Sequence, residues 1–272
     1  MTGRINRAAV LAIAGRDLRI VARSRAVLIP MLVVPGLLLL TPPLTLIAAT
    51  TAPDSLAAEL APLLVRLPNE LSSQLPDEPA RRTVVLLLVY VFAPLYLLVP
   101  VMVASVTAAD TVVGERQRGT LEGLLHSPTT DRELLFGKLL APWGMAAVVA
   151  VIGAVAYGVV ANQALAQYGL PASFPNVPWV VLVVWVAPAA SGFGVGLVVA
   201  VSARVKTFQE AAQVASIVVI PVVGLVVAQA AGLLLFDTLL LMLLGAVLWL
   251  VTLLLLRAAH GSFTRDRLLT RD

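Results

Sequence analysis

The chain has 272 residues, of which 60% are hydrophobic and only 12% charged. Soluble domains carry about 25% charged residues, so a soluble globular fold is excluded and an all-α polytopic membrane protein is the expected class. The formal net charge of +4 does not point to nucleic acid, because the basic residues cluster at the ends of apolar runs, and with no cysteine a disulfide framework is excluded. Residues 1–25 are expected to supply an N-terminal amphipathic interfacial helix, over 3–25. Arg16, Arg19 and Arg23 share one face, and Val10, Ala14, Leu18 and Val21 the opposite one. Guanidinium heads on such a helix reach lipid phosphates while the apolar face enters the leaflet. The first apolar run begins near Ala26, too far in for a typical cleaved signal peptide, so an uncleaved N-terminus is expected.

A helix needs about 20 apolar residues to cross a bilayer core, and six runs qualify. The first covers 26–50 and contains Pro30, Pro35, Pro42 and Pro43. A proline-punctuated segment, 51–82, follows; its leucines keep helical spacing, and it is expected to cap the far side of the membrane. The second span, 83–113, is long enough to pass beyond the hydrocarbon core, with bends expected at Pro94 and Pro100. The third covers 134–160, followed by an uncharged loop over 161–177. The fourth covers 178–203, where Gly192-x-x-x-Gly196 permits close helix approach. The fifth, 211–234, is expected to break at Pro221, and the sixth covers 239–256 ahead of a tail over 258–272.

Orientation follows from the arginines and lysines. Sixteen fall on the side that holds the N-terminal segment, residues 114–138, the 203–210 loop and the tail together with Arg257 just before it, and three fall in 51–82: Arg66, Arg81 and Arg82. Both termini are therefore expected in the cytoplasm. No proposed span carries a charge in its middle, which disfavours an ion-coupled carrier. His126 and His260 are the only histidines, both in predicted cytoplasmic segments, so no intramembrane metal site is expected. Gly137-Lys138 is a fragment of a phosphate loop only, since Arg132 stands where the first glycine belongs and Leu139 follows the lysine.

The segment 114–133, between the second and third spans, carries the most information. Leu121, Leu124 and Leu125 sit at i, i+3 and i+4, one apolar stripe on a short helix that Gly119 precedes and Pro128 stops. Thr130 and Glu133 then form a capping box that opens the third span. The pattern Glu115-x-x-x-Gly119-Thr120-Leu121-Glu122-x-Leu124-Leu125, with Pro128 and Gly137-Lys138 after it, resembles the signature of the type-2 ABC transporter permeases. That resemblance implies a six-helix permease domain over 26–257 whose cytoplasmic coupling helix docks on a separate ATPase. It gives Glu115, Arg116, Gly119, Thr120, Leu121, Glu122, Leu124, Leu125 and Pro128 roles in coupling. It also implies that ATP and magnesium bind the partner ATPase, with no cofactor in this chain and no enzyme activity of its own. A second permease chain is expected, most simply as a homodimer, in the plasma membrane. The cargo stays open; a charge-poor interior suits a lipophilic or amphipathic molecule moved out of the cytoplasm or inner leaflet. The competing readings are a non-transporting structural or assembly subunit of a membrane complex and an ATP-independent carrier.

Overall fold

The computed structural model describes residues 6–48, 75–119, 129–202, 205, 207–217, 219–230 and 237–262. These residues are helical almost throughout and contain no strand. In chain order the helices are α1 (Arg7–Arg23), α2 (Arg25–Ala48), α3 (Pro79–Gln117), α4 (Asp131–Gln167), α5 (Val177–Val201), α6 (Phe208–Ser216), α7 (Val219–Ala230) and α8 (Thr238–Ser262). Four of them, α3, α4, α5 and α8, are long and apolar enough to cross a membrane. α2 is apolar in sequence from Ala26 onward, and a turn at Ile217 separates α6 from α7.

The core is built on α3 and α5, the most buried of the long helices. α5 packs between α3 and α8, and α4 packs on α3, on α2 and, at its first turns, on α1. The Gly192-x-x-x-Gly196 pair does lie at a close crossing. A Cβ on Gly192 would stand 2.9 Å from the Thr252 side chain, and one on Gly196 would stand 3.2 Å from Leu255. Both partners belong to α8.

α3 is not a uniform α-helix. Residues Leu86–Val91 and Asp110–Gly114 are π-helical, and turns at Phe92 and Leu97 bracket Pro94. Pro94 therefore sits at a real interruption, whereas Pro100 is absorbed near the start of the helical stretch Leu98–Ala109. Carbonyls that leave the helical ladder must find donors inside the bundle. At the first π segment they do: the Tyr157 hydroxyl donates to the Leu88 carbonyl at 2.6 Å, and the Trp179 indole N–H donates to Val89 at 2.9 Å. Trp179 and Tyr157 stack at 4.9 Å, which ties α3, α4 and α5 together at the end remote from α1.

Two expectations need correction. The chain breaks at Ile217, ahead of Pro221. Pro221 stands in the first turn of α7, where a missing backbone N–H costs no hydrogen bond. The loop expected over 161–177 starts only after Gln167, because residues 161–167 hold alanine, leucine, glutamine and a single asparagine, with no proline before Pro171.

Candidate functional site

Sequence spacing alone brings the ends of α3 and α4 near each other, since only residues 118–130 join them. The structure adds α1 to that meeting point. Asn6 caps α1 by accepting from the Ala8 N–H, and its own N–H donates to Glu133 Oε1 at 2.7 Å. Glu133 belongs to the predicted capping box. Its Oε2 accepts from the Thr130 N–H at 2.8 Å, while Thr130 Oγ1 accepts from the Glu133 N–H at 3.3 Å. One carboxylate thus starts α4 and holds the beginning of α1.

One turn further, α1 lies so close to α4 that no side chain fits between them at residue 137. A Cβ there would fall 2.7 Å from Ile13 and 3.3 Å from the Val10 carbonyl. The face of α1 that makes this contact is Val10, Ile13, Ala14, Asp17 and Val21, all buried. Residues 7–23 do form a helix, and of the expected stripe Val10, Ala14 and Val21 are buried while Leu18 is half-buried. The stripe, however, packs on protein through Val10, Ala14 and Val21, with Asp17 in the middle of it.

Asp17 is buried because Lys138 is buried opposite it. Lys138 Nζ lies 3.0 Å from Asp17 Oδ2, donates to Glu115 Oε2, and donates to the Thr111 carbonyl at 3.0 Å. Lys138 and Asp17 are 1% and 0% exposed and Glu115 is 3% exposed, so solvent does not screen these charges. The half-exposed Arg16 closes the cluster from outside, 3.6 Å from Glu115 Oε1 and 3.7 Å from Asp17 Oδ1. Two carboxylates and two cations leave the group formally neutral. Asp17 accepts no well-aligned hydrogen bond among the described residues. Burial accordingly pushes its carboxyl above the ordinary range, against the opposing pull of Lys138.

The second π segment, Asp110–Gly114, supplies part of this geometry, and such segments concentrate at functional positions. It delivers the Thr111 carbonyl to Lys138, and the Asp110 carboxylate to Arg118 Nη1 at 2.9 Å. Beyond it, Arg116 donates to the Val205 carbonyl, and Gln117 Oε1 accepts from the Phe208 N–H at 3.1 Å. The start of α6 is thus tied to the same junction. α3 ends ahead of Gly119, whose φ of +70° suits glycine.

Of the residues assigned to coupling, Glu115, Arg116 and Gly119 fall at this junction. Thr120, Leu121, Glu122, Leu124, Leu125 and Pro128 lie outside the described residues. Asp17, Asp110, Arg118 and the ion-pairing role of Lys138 were not singled out in the sequence. One signal was available: Asp17 continues the Ile13–Val21 stripe at i+4 spacing, a carboxylate on an otherwise apolar face. No cluster among the described residues has the composition of a metal site.

The family model described as ABC-2 family transporter protein matches residues 11–243. The chain belongs to the ABC-2 transporter permease family. The match begins within α1 and spans the α3–α4 junction. Membership makes the chain a membrane-embedded transporter subunit; permeases of this family are not themselves enzymes and work with an ABC ATPase. No curated protein matches the chain.

Proposed function

We propose that this permease is half of the membrane part of an ATP-driven exporter, pairing with a second copy of itself and with a separate ATPase. The observation that carries the reading is the junction at Glu115. The segment 120–128, whose sequence resembles a coupling helix, is rooted on its N-terminal side at Glu115 and Gly119 and on its C-terminal side at Thr130 and Glu133. Both roots are fastened to α1, and the Glu115 root is fastened to α4 by a buried ion pair as well. A force that a partner delivers to either end of this segment would act on α3 and α4 together, because both ends are fastened to the same junction.

In this reading the chain crosses the membrane six times, α2 and the α6–α7 pair being the two spans beyond the four long helices. The arginine-rich ends face the cytoplasm, in keeping with sixteen basic residues on that side against three on the other. A two-fold homodimer follows the usual preference for closed symmetric pairs. The Leu121, Leu124 and Leu125 stripe seats in a groove of the ATPase, with Glu115 orienting the segment from its N-terminal root. The cargo is lipophilic or amphipathic and leaves from the cytoplasm or inner leaflet. Magnesium and ATP bind the ATPase, and no step of hydrolysis is assigned to this chain.

The test is affinity purification of the tagged chain from its native membrane. Recovery of an ATPase in a one-to-one ratio, with hydrolysis stimulated by cargo, supports the reading. A permease recovered intact that transports with no ATPase bound supports a carrier and refutes it.

A further inference from the structure

The two π turns of α3 are both completed by side chains of α4. In an α-helix the Phe92 N–H would donate to the Leu88 carbonyl. Here it donates to Leu87 at 3.0 Å, and the Leu88 carbonyl is taken by the Tyr157 hydroxyl at 2.6 Å. The second π turn repeats the arrangement. The Glu115 N–H donates to Asp110 in place of Thr111, and the Thr111 carbonyl is taken by Lys138 Nζ at 3.0 Å. Each π turn holds one residue more than the α turn it replaces.

The two turns are held by different chemistry. Tyr157 is fully buried and stacks on Trp179 at 4.9 Å, so the first is locked inside aromatic packing. Lys138 holds the second through charge, shared with Asp17 and Glu115 and with Arg16 on the rim. Another ion pair spans the same turn, from Arg118 Nη1 to Asp110 Oδ1 at 2.9 Å. Residues eight apart on an α-helix stand about 80° apart around its axis, and residues seven apart only about 20°. With one residue absorbed by the π turn, Asp110 and Arg118 come to one face. Gly114 lies under their bridge. A Cβ there would fall 2.9 Å from Asp110 Oδ1 and 3.1 Å from Arg118 Nη1.

We propose that Asp110–Gly114 is a two-register joint, kept in its π register by Lys138 and by the Asp110–Arg118 bridge. In the other register the turn becomes α-helical and the Glu115 N–H returns to Thr111. Residues 115–118 then turn by about 100° and advance by about 1.5 Å. That step takes Arg116 off Val205, Gln117 off Phe208 and Glu115 off Lys138. It is discrete, because the Thr111 carbonyl has a donor in either register, and packed elements switch between such arrangements more readily than they bend. What drives the step rests on the reading above, in which a partner acts on the end of α3. The step itself belongs to this chain and is tested with no ATPase present.

The chain has no cysteine, so Gln117→Cys with Phe208→Cys gives a single pair for a short bismaleimide in the detergent-solubilised full chain. The pair should cross-link in the otherwise native chain. Adding Lys138→Met should remove most of the cross-link, because the α register then spares Glu115 from facing Asp17. Deleting Val112 from that same variant should restore it. The deletion takes the extra residue out of the π turn, leaves Val113 in its place, and returns residue 117 to its native direction with no need of Lys138. Deleting Val103 from the regular stretch Leu98–Ala109 should instead abolish the cross-link, since everything beyond it turns by about 100°. A Lys138→Met chain that cross-links like the native one overturns the joint. A loss that deletion of Val112 fails to restore overturns it too, since the lysine would then serve stability alone. Equal damage from deleting Val112 and Val103 would show that residues 110–114 hold no removable turn.

Discussion

Replacing Lys138 by methionine keeps most of the side-chain volume and removes the charge. The native lysine faces Asp17 and Glu115, both almost fully buried, and donates to the Thr111 carbonyl. Methionine would leave two buried carboxylates facing each other, with only Arg16, on the rim, to balance them. Removing one member of a buried ion pair costs about 3–5 kcal/mol, chiefly because the stranded charge is not rehydrated. One carboxyl can escape the penalty by taking up a proton, and Asp17 is already disposed to do so. The expected loss is therefore at the lower end, about 3 kcal/mol. Arg16→Gln is the control. Its ion pairs are 3.6 and 3.7 Å long and partly exposed, so about 1 kcal/mol or less is expected. The assay is reversible unfolding of the detergent-solubilised chain, followed by tryptophan fluorescence. Adding Asp17→Asn to Lys138→Met should recover part of the loss, since one stranded charge is gone. If Lys138→Met costs no more than Arg16→Gln, the cluster is not a structural joint and the argument built on it fails.

Other outcomes follow from the same junction. Gly137→Ala should partly undock α1, because the new methyl meets Ile13 and the Val10 backbone. A cost of about 1–3 kcal/mol is expected, with faster thiol labelling of Ile13→Cys as the readout. Asp17 has a raised carboxyl pKa in the folded chain, so its contribution to stability is fully present below the ordinary carboxylate value and is lost as the pH rises through the raised one. Measured against Asp17→Asn, the native chain should therefore lose stability as the pH climbs from about 4 towards neutrality; parallel profiles would contradict this. Ser127→Cys should resist an impermeant thiol reagent applied to intact cells, and labelling from outside would reverse the proposed topology.

Much of the fold is legible in the residues because lipid leaves the chain few options. Long apolar runs become helices, and α3, α4, α5 and α8 lie where hydropathy puts them. The Thr130–Glu133 box and the close approach at Gly192 and Gly196 are local patterns, and both are present. What hydropathy cannot convey is partnership at a distance. Asp17 and Lys138 are far apart in sequence, and each alone reads as a charge near a membrane surface. Only the docking of α1 on Gly137 reveals them as one buried pair. The break near Pro221 was misplaced for a different reason. Proline disrupts a helix interior but is harmless in a first turn, and the sequence does not mark where a helix restarts.

The most direct test of the central claim is Leu125→Arg, in the segment that the Glu115 junction carries. A charge on the apolar stripe would be buried unpaired in the ATPase groove, a loss of more than about 1 kcal/mol for a buried anchor and more for a stranded charge. The variant should reach the membrane at normal abundance, leave the proposed pairing of permease chains unchanged, and fail to retain the ATPase or to transport. Normal ATPase retention and transport by Leu125→Arg would show that the segment between Gly119 and Thr129 is not where this permease meets its motor.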